Sequence, residues 1–223
     1  ARKDILVKVA PGKQEDCEDC NEKNDEEEKK STAGLKRISG GGLDVEVTEH
    51  NNQVTVMYDS WNTKLDLEIE VPANFDLDLH AYNDGNLIIS NIQGEVVTKN
   101  FNGSITALGI SGTVVGTTVN GDIKITYDKL TEGTPLSYST YNGYIDLSFP
   151  STVKATFKVK SEQGDIYSGF DIDFKSSGPV QKKDEKAGVY KVVIDEWKKG
   201  DLNGGGPEVT LRNYNGNIYI RKK

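Results

Sequence analysis

Acidic side chains in the first third of the chain could bind a hard metal cation. Asp66, Glu68, Asp76 and Asp78 alternate with apolar residues, so we expect them to point away from the core on neighbouring strands. Carboxylate oxygens are the preferred ligands of Ca²⁺ and Mg²⁺. The same alternation is also typical of a solvated face that discourages pairing between sheet edges. The four carboxylates are therefore our candidate metal ligands, and a charged surface is the simpler interpretation.

Tyrosines in the later part of the sequence could form a binding surface. Rings exposed on stacked strands can lie against sugar rings or against a partner strand, whereas cross-strand packing over the core is the alternative. Tyr144 is the one most expected to face outward, because Ile145 and Leu147 hold the inward parity. The candidate ligand-binding residues are Tyr138, Tyr141, Tyr144 and Tyr167.

Aspartates near repeated glycines raise the possibility of polysaccharide cleavage. Asp122, Asp146 and Asp165, with Lys124 nearby, could supply the paired carboxylates that glycoside hydrolysis needs. Aspartate beside glycine also favours the turn itself. The chain has only two histidines, which leaves no credible Ser/His/Asp or Cys/His set. We therefore predict a non-catalytic protein without a cofactor.

Cys17 and Cys20 are the only cysteines, and their spacing is compatible with several kinds of chemistry. A structural zinc site needs four ligands, and no second cysteine pair exists. Acidic neighbours raise a thiol pKa, which disfavours a redox-active pair. A local disulfide, inert thiols, an oxidisable pair and a metal shared with another chain all stay open.

Composition limits the classes of partner. The 223 residues carry a net charge of −8, which disfavours nucleic acid and anionic lipid surfaces. No apolar run approaches the roughly 20 residues that a membrane-spanning helix needs. We expect the chain not to span a membrane and not to bind nucleic acid.

Glycines recur at a fixed spacing through the middle of the chain. The first five are nine residues apart, and each is followed two residues later by an apolar residue. A further apolar residue follows each of the first four glycines after seven positions: Ile92, Phe101, Ile110 and Val119. Such self-similarity is typical of repeat proteins whose units bury their apolar sides by stacking. The repeat glycines are Gly85, Gly94, Gly103, Gly112, Gly121, Gly143, Gly164 and Gly216.

The odd period predicts how the chain folds. Side-chain parity alternates along a strand, so a nine-residue unit must bend to bring its apolar residues inward, and two units make an 18-residue coil. We predict an all-β fold, a single-stranded parallel β-helix or solenoid of roughly eight coils. One inward ladder contains Leu87, Ile105, Ile123, Ile145 and Ile166, with Ile218 near the end, and the other contains Val96 and Val114. We expect residues 1–42 to form an N-terminal strand with an acidic mobile loop, and residues 43–223 to form the solenoid.

The order of several segments resembles a known family. "LEIEVPANFDLDLHAYNDG", "TTVNGDIKITY" and the terminal "NYNGNIYIRKK" are similar to the adhesin-like family of exported bacterial β-strand-repeat proteins, including head-domain adhesins of Bacteroidetes. The molecular function of that family is unassigned. The resemblance implies a parallel β-solenoid in the periplasm or at the cell surface, lipid-anchored or otherwise membrane-anchored in its full-length form. It implies no active site.

These observations lead to one expected function and two alternatives. We expect a non-catalytic, exported, adhesin-like binding or structural module of the bacterial cell envelope that recognises a glycan or a protein there. One alternative is a polysaccharide-active enzyme on the same fold. The other is an envelope-sensing accessory protein that binds a partner protein through an exposed sheet edge.

Overall fold

The computed structural model describes residues 5–11, 45–60, 64–83, 85–131, 133–176, 180–183, 190–193 and 197–223. Cys17, Cys20 and the expected boundary at residues 42–43 lie outside them. Every regular element in these ranges is a β-strand, so the expected all-β fold is confirmed. The strands are β1 (Leu6–Pro11), β2 (Val45–His50), β3 (Gln53–Tyr58), β4 (Leu65–Glu70), β5 (Leu77–Ala81), β6 (Leu87–Ser90), β7 (Glu95–Asn100), β8 (Ile105–Ile110), β9 (Thr113–Asn120), β10 (Ile123–Tyr127), β11 (Leu136–Asn142), β12 (Ile145–Phe149), β13 (Ala155–Gln163), β14 (Ile166–Ser168), β15 (Lys175–Ser176), β16 (Val180–Lys183), β17 (Tyr190–Val193), β18 (Lys198–Leu202), β19 (Glu208–Asn215) and β20 (Ile218–Lys222).

The chain divides into two compact units, of which Ile5–Glu70 is the smaller. In this unit β1 pairs with β4 and β2 pairs with β3, both antiparallel. The turn between β2 and β3 is made by Asn51 and Asn52, which both adopt positive φ, as tight hairpin turns require. The first four strands thus form antiparallel pairs, and parallel pairing begins with β5.

The larger unit, Val71–Lys223, contains two extended sheets. The eight-stranded sheet has the order β15-β18-β13-β19-β11-β9-β7-β5, and the six-stranded sheet has the order β14-β20-β12-β10-β8-β6. From β5 to β14 the chain alternates between the two sheets at every strand. The neighbours within this stretch are parallel, as the repeat predicts.

Close backbone approach explains the glycine spacing. A Cβ atom built on Gly121 would lie 2.1 Å from the carbonyl oxygen of Gly103, and one on Gly143 would lie 2.2 Å from that of Gly121. No side chain fits at such distances, so every repeat glycine after Gly85 lets its layer contact the backbone of a neighbouring layer. The nine-residue period resolves into two columns with an 18-residue period. One column contains Gly94 and Gly112, and the other contains Gly85, Gly103, Gly121, Gly143, Gly216 and Gly164.

The core lies between the two sheets. Ile105, Ile123 and Ile145 are completely buried and in direct register across the six-stranded sheet. Val96 and Val114 are paired and buried on the opposite sheet. Both inward ladders expected from the repeat are therefore present.

The last two strands are inserted into the stack rather than added to its end. β19 lies between β11 and β13, and β20 lies between β12 and β14. Ile218, expected near the end of the inward ladder, therefore takes the place between Ile145 and Ile166. After β14 the chain therefore returns to a position inside the stack.

Polar side chains inside the glycine corner hold consecutive layers together. Thr140 Oγ1 donates a hydrogen bond of 2.9 Å to the carbonyl oxygen of Gly121, and Asn213 Nδ2 donates one of 2.8 Å to that of Gly143. Ser161 Oγ donates in the same way to Gly216, at 3.2 Å. The inserted strands thus have the same corner contacts as the layers on either side of them.

Candidate functional site

The outer face of the eight-stranded sheet carries a row of large apolar side chains, which we call the aromatic row. Its members follow from the register, since each stands one position after a paired residue of its strand. They lie at the end of five adjacent strands, just before the glycine corner. The aromatic row consists of Tyr82, Phe101, Val119, Tyr141 and Tyr214.

The aromatic row is exposed although it is apolar. Tyr82 is 68% exposed, Phe101 51%, Tyr141 50% and Tyr214 40%, while Val119 is half-buried. The rings of Tyr141 and Tyr214 are stacked, with centroids 4.5 Å apart and planes within 4° of parallel. Five strands at about 4.8 Å give the row a length of roughly 19 Å. Aligned exposed apolar groups of this extent are typical of interaction sites.

A ladder of asparagines runs beside the aromatic row. Asn120 Nδ2 donates to Asn102 Oδ1 at 2.8 Å, and Asn142 Nδ2 donates to Asn120 Oδ1 at 2.8 Å. Asn215 Nδ2 continues the chain to Asn142 Oδ1 at 3.3 Å. These amides fix the ends of β7, β9, β11 and β19, so the part of the aromatic row from Phe101 to Tyr214 is pre-organised before any ligand arrives.

Small hydroxyl side chains occupy the middle of the same face. Thr117 and Ser139 are cross-strand neighbours, and Ser137 is paired with Thr210 on the row beside them. All four are at least partly exposed. They leave room above the sheet and offer donors and acceptors next to Tyr141 and Tyr214.

A second aromatic group lies on the outer face of the six-stranded sheet. Tyr167 stacks on Tyr219 with centroids 5.2 Å apart, and Tyr144 meets the same ring edge-on at 6.2 Å. The guanidinium of Arg221 lies 5.0 Å from the Tyr219 centroid, and its Nε donates to both oxygens of Asp146 at 2.8 and 2.9 Å. These rings contact one another and an ion pair, whereas the ring contact of the aromatic row is the stacked pair Tyr141 and Tyr214.

Burial and nearby carboxylates raise the pKa values of three members of this second group. Partial burial, followed by the charges of Asp122 and Asp146, raises the pKa of Tyr144. The charge of Asp165 is the largest cause that raises the pKa of Tyr167. The hydrogen bond with Asp146 raises the pKa of Arg221. Tyr144, Tyr167 and Arg221 therefore hold their protons to a higher pH than the same groups would in water.

The structure separates the four tyrosines expected to bind a ligand. Tyr141 is in the aromatic row, and Tyr144 and Tyr167 are exposed on the other sheet. Tyr138 is completely buried, its hydroxyl bonded to that of Tyr127, and burial raises its pKa well above the usual value. Tyr138 points inward because it alternates with Ser137 and Ser139, so it is a core residue and not part of a surface site.

The four expected metal ligands are divided between the two units. Glu68 is bound by Lys8 Nζ at 3.1 Å, and Asp78 Oδ1 lies 3.0 Å from His80 Nε2. Asp76 Oδ1 accepts the backbone N–H of Glu95 at 2.7 Å. Asp66 lies in β4, where Ala10 is its cross-strand neighbour. Among the described residues, no group of three or more His, Cys, Asp or Glu side chains is placed to hold a metal ion.

The aspartates considered for polysaccharide cleavage have structural partners. Asp122 Oδ1 accepts the backbone N–H of Tyr144 at 2.9 Å, and Asp146 is buried against Arg221. Asp165 Oδ2 accepts the hydroxyl of Tyr167 at 3.3 Å. Each carboxylate therefore stabilises a turn, an ion pair or a ring contact between layers.

The sequence contains a pattern that distinguishes the aromatic row from the core, but the nine-residue period groups the two kinds of position together. Ile92, Phe101, Ile110 and Val119 occupy the same position of the nine-residue unit. Ile92 and Ile110 are buried, whereas Phe101 is exposed and Val119 only half-buried, because alternate units fall at opposite corners of the stack. Reading the repeat with an 18-residue period would have separated the two pairs.

Comparison with known proteins gives one match. The family model Toastrack DUF4097 matches residues 82–203, more than half of the chain. No curated protein and no solved structure matches significantly. In the part of the chain that the structure describes, no helix is long and apolar enough to cross a membrane.

Proposed function

We propose a function from the premise that this chain belongs to the Toastrack DUF4097 family, a family of unknown function. The finer architecture that we propose is a single-stranded parallel β-solenoid. Each coil would consist of one strand of the eight-stranded sheet followed by one of the six-stranded sheet. The described residues contain six such pairs, β5–β6, β7–β8, β9–β10, β11–β12, β19–β20 and β13–β14, against roughly eight expected.

The proposed activity is non-catalytic binding. In this proposal the chain is an exported, adhesin-like module of the bacterial cell envelope, and its ligand is a glycan that lies along the aromatic row. The observation that carries the proposal is the alignment of exposed rings on four of five adjacent strands, above all the stacked pair Tyr141 and Tyr214.

The chemistry of the row suits a sugar polymer. The C–H faces of sugar rings are apolar and pack on aromatic rings, while their hydroxyls need hydrogen-bond partners at the edges. Tyr141 and Tyr214 offer the rings, and Ser139 and Asn142 stand beside them with polar groups. Strands held by a continuous ladder lose little freedom on binding, which favours affinity for a long ligand.

The experiment measures binding of the purified chain to an array of bacterial and host glycans. The double variant Tyr141→Ala/Tyr214→Ala removes the stacked pair, and Tyr167→Ala is the matched control, because that ring is similarly exposed on the other sheet. We expect saturable binding that the double variant weakens at least tenfold, the equivalent of about 1.4 kcal/mol, while the control is unchanged.

Two results would contradict the proposal. Binding to no glycan at concentrations up to the millimolar range would exclude this ligand class. Equal losses in Tyr141→Ala/Tyr214→Ala and in Tyr167→Ala would show that the aromatic row is not the site. Circular dichroism of each variant separates a lost contact from a lost fold.

A further inference from the structure

Three lysines stand in direct register on the outer face of the eight-stranded sheet, near the end opposite β5. Lys158 of β13 is paired with Lys199 of β18, and Lys199 is paired in turn with Lys175 of β15. Cross-strand partners have Cβ atoms about 5 Å apart, so three ammonium groups are carried on consecutive strands. We call Lys158, Lys199 and Lys175 the basic row.

Within the described part of the chain, a carboxylate and an aromatic ring contact the basic row. Glu208 approaches Lys199 at 3.6 Å, and the ammonium of Lys158 lies 4.8 Å from the centre of the Trp197 ring. Arg212 extends the positive charge along β19, where it is exposed and paired with Lys160 of β13. Lys160 itself contacts Glu162 at 2.8 Å.

This cluster of positive charges contrasts with the negative net charge of the chain. The protein carries a net charge of −8, yet its lysines face one another here across two strand pairs. Like charges directly opposite each other in a sheet cost stability. Bound anions would remove that cost, so the basic row is suited to a ligand with several negative charges in a line.

The basic row lies on the same face as the aromatic row, displaced from it along the strands, and Arg212 lies between the two. Arg212 and Tyr214 are two residues apart on β19, so their side chains lie on the same face about 7 Å apart. Lys158 of the basic row is paired with Thr210, which lies four residues before Tyr214 on β19, so about 13 Å separates the two rows along the strand direction. A single extended ligand could therefore contact the rings of Tyr141 and Tyr214 and the ammonium groups of the basic row.

We propose that the basic row binds the carboxylates of a linear acidic polysaccharide whose sugar rings lie on the aromatic row. This inference rests on the proposed glycan-binding function and specifies its substrate class. Lysines act as separate point charges, which fits carboxylates spaced along a polymer, whereas close phosphate recognition is typically made by bidentate arginines or clustered backbone N–H groups. The stacked rings and hydroxyls beside the row favour a sugar polymer over a polyphosphate.

The experiment uses two polymers with the same backbone. Polygalacturonate carries a carboxylate on each sugar, and its fully methyl-esterified form carries none. We expect polygalacturonate to bind more tightly, and Lys175→Gln/Lys199→Gln to weaken that binding about five- to twentyfold. The variant should leave the weaker binding of the ester unchanged. The control Lys124→Gln/Lys129→Gln makes the same charge change at exposed sites outside the basic row and should behave as the unaltered chain.

Three outcomes would overturn the inference. The first is equal affinity for the acid and the ester. The second is equal loss in the two lysine double variants, which would indicate a general charge effect. The third is tighter binding to inorganic polyphosphate than to polygalacturonate, with the same dependence on Lys175 and Lys199.

The same experiment distinguishes failure of the proposed function from failure of this inference. If Tyr141→Ala/Tyr214→Ala loses both polymers while the lysine variants lose neither, the glycan site stands and the acidic substrate class is wrong. If the tyrosine variant binds both polymers normally while Lys175→Gln/Lys199→Gln loses the acid, the aromatic row is not the glycan site, and the proposal that sugar rings lie on it is wrong.

Discussion

At the scale of single residues, the same type of side chain is buried or exposed according to its position in the alternation along a strand. Tyr138 and Tyr141 are three residues apart on β11, yet the first is buried and the second is half exposed. Tyrosine itself does not indicate which side it faces, so the sequence could identify the tyrosine-rich segment but not assign each ring. Strict alternation gives Tyr138 the parity of Leu136 and Thr140, which are both buried.

The glycine columns lead to a prediction for Gly143→Ala. This residue has a φ of 141°, and an added Cβ would lie 2.2 Å from the backbone oxygen of Gly121. We expect the free energy of unfolding, measured in urea, to fall by about 3 kcal/mol, because backbone strain and a backbone clash combine.

Gly204→Ala separates the two causes. Gly204 also has a positive φ, of 89°, but no atom lies within 4 Å of an added Cβ. The free energy of unfolding of Gly204→Ala should fall by only about 1 kcal/mol, because backbone strain is the one cost. Equal losses at the two positions would mean that close layer contact is not what requires glycine at position 143.

At the scale of strands, the sequence predicted the inward ladders but not their order. Ile145, Ile166 and Ile218 all follow a repeat glycine by two residues, and nothing local distinguishes their layers. The order depends on pairing between distant segments, such as Leu136 with Val209 and Phe157 with the same valine. Sequence periodicity reports which residues share a face, whereas the choice of neighbour is a tertiary property.

The inserted strands give a prediction at this scale. Removal of residues 207–223 takes away β19 and β20 and leaves β11 and β12 without partners on one side. It also removes the buried side chains of Val209, Leu211 and Ile220 from the core. We expect the shortened chain to lose its cooperative urea transition, because the gap lies within the stack and not at its end.

A peptide of residues 207–223 should restore the transition when it is added to the shortened chain. Its saturable binding would be followed by circular dichroism and by recovery of the unfolding midpoint. A peptide with Leu211→Asp and Ile220→Asp serves as the control, since it cannot fill the core. Cooperative unfolding of the shortened chain without any peptide would contradict the insertion.

At the scale of the whole molecule, two charge effects act on an acidic polymer over different distances. The chain as a whole is negative by eight charges and repels such a ligand, while the basic row attracts it locally. The Debye length falls from about 30 Å at 0.01 M salt to about 10 Å at 0.1 M and about 3 Å at 1 M. Moderate salt therefore screens the distant repulsion before it screens the close attraction.

This difference in range predicts an affinity maximum. Binding of polygalacturonate, measured by isothermal titration calorimetry, should be tightest near 0.1 M salt and weaker at both 0.01 M and 1 M. Lys175→Gln/Lys199→Gln should show a smaller maximum, because Lys158 and Arg212 are the nearby charges that still attract the polymer. The methyl-esterified polymer, which carries no charge, should bind with little dependence on salt. If the affinity of the unaltered chain instead falls steadily as salt rises from 0.01 M, repulsion by the net charge of the chain does not affect binding at the site. The local lysines alone would then govern the encounter.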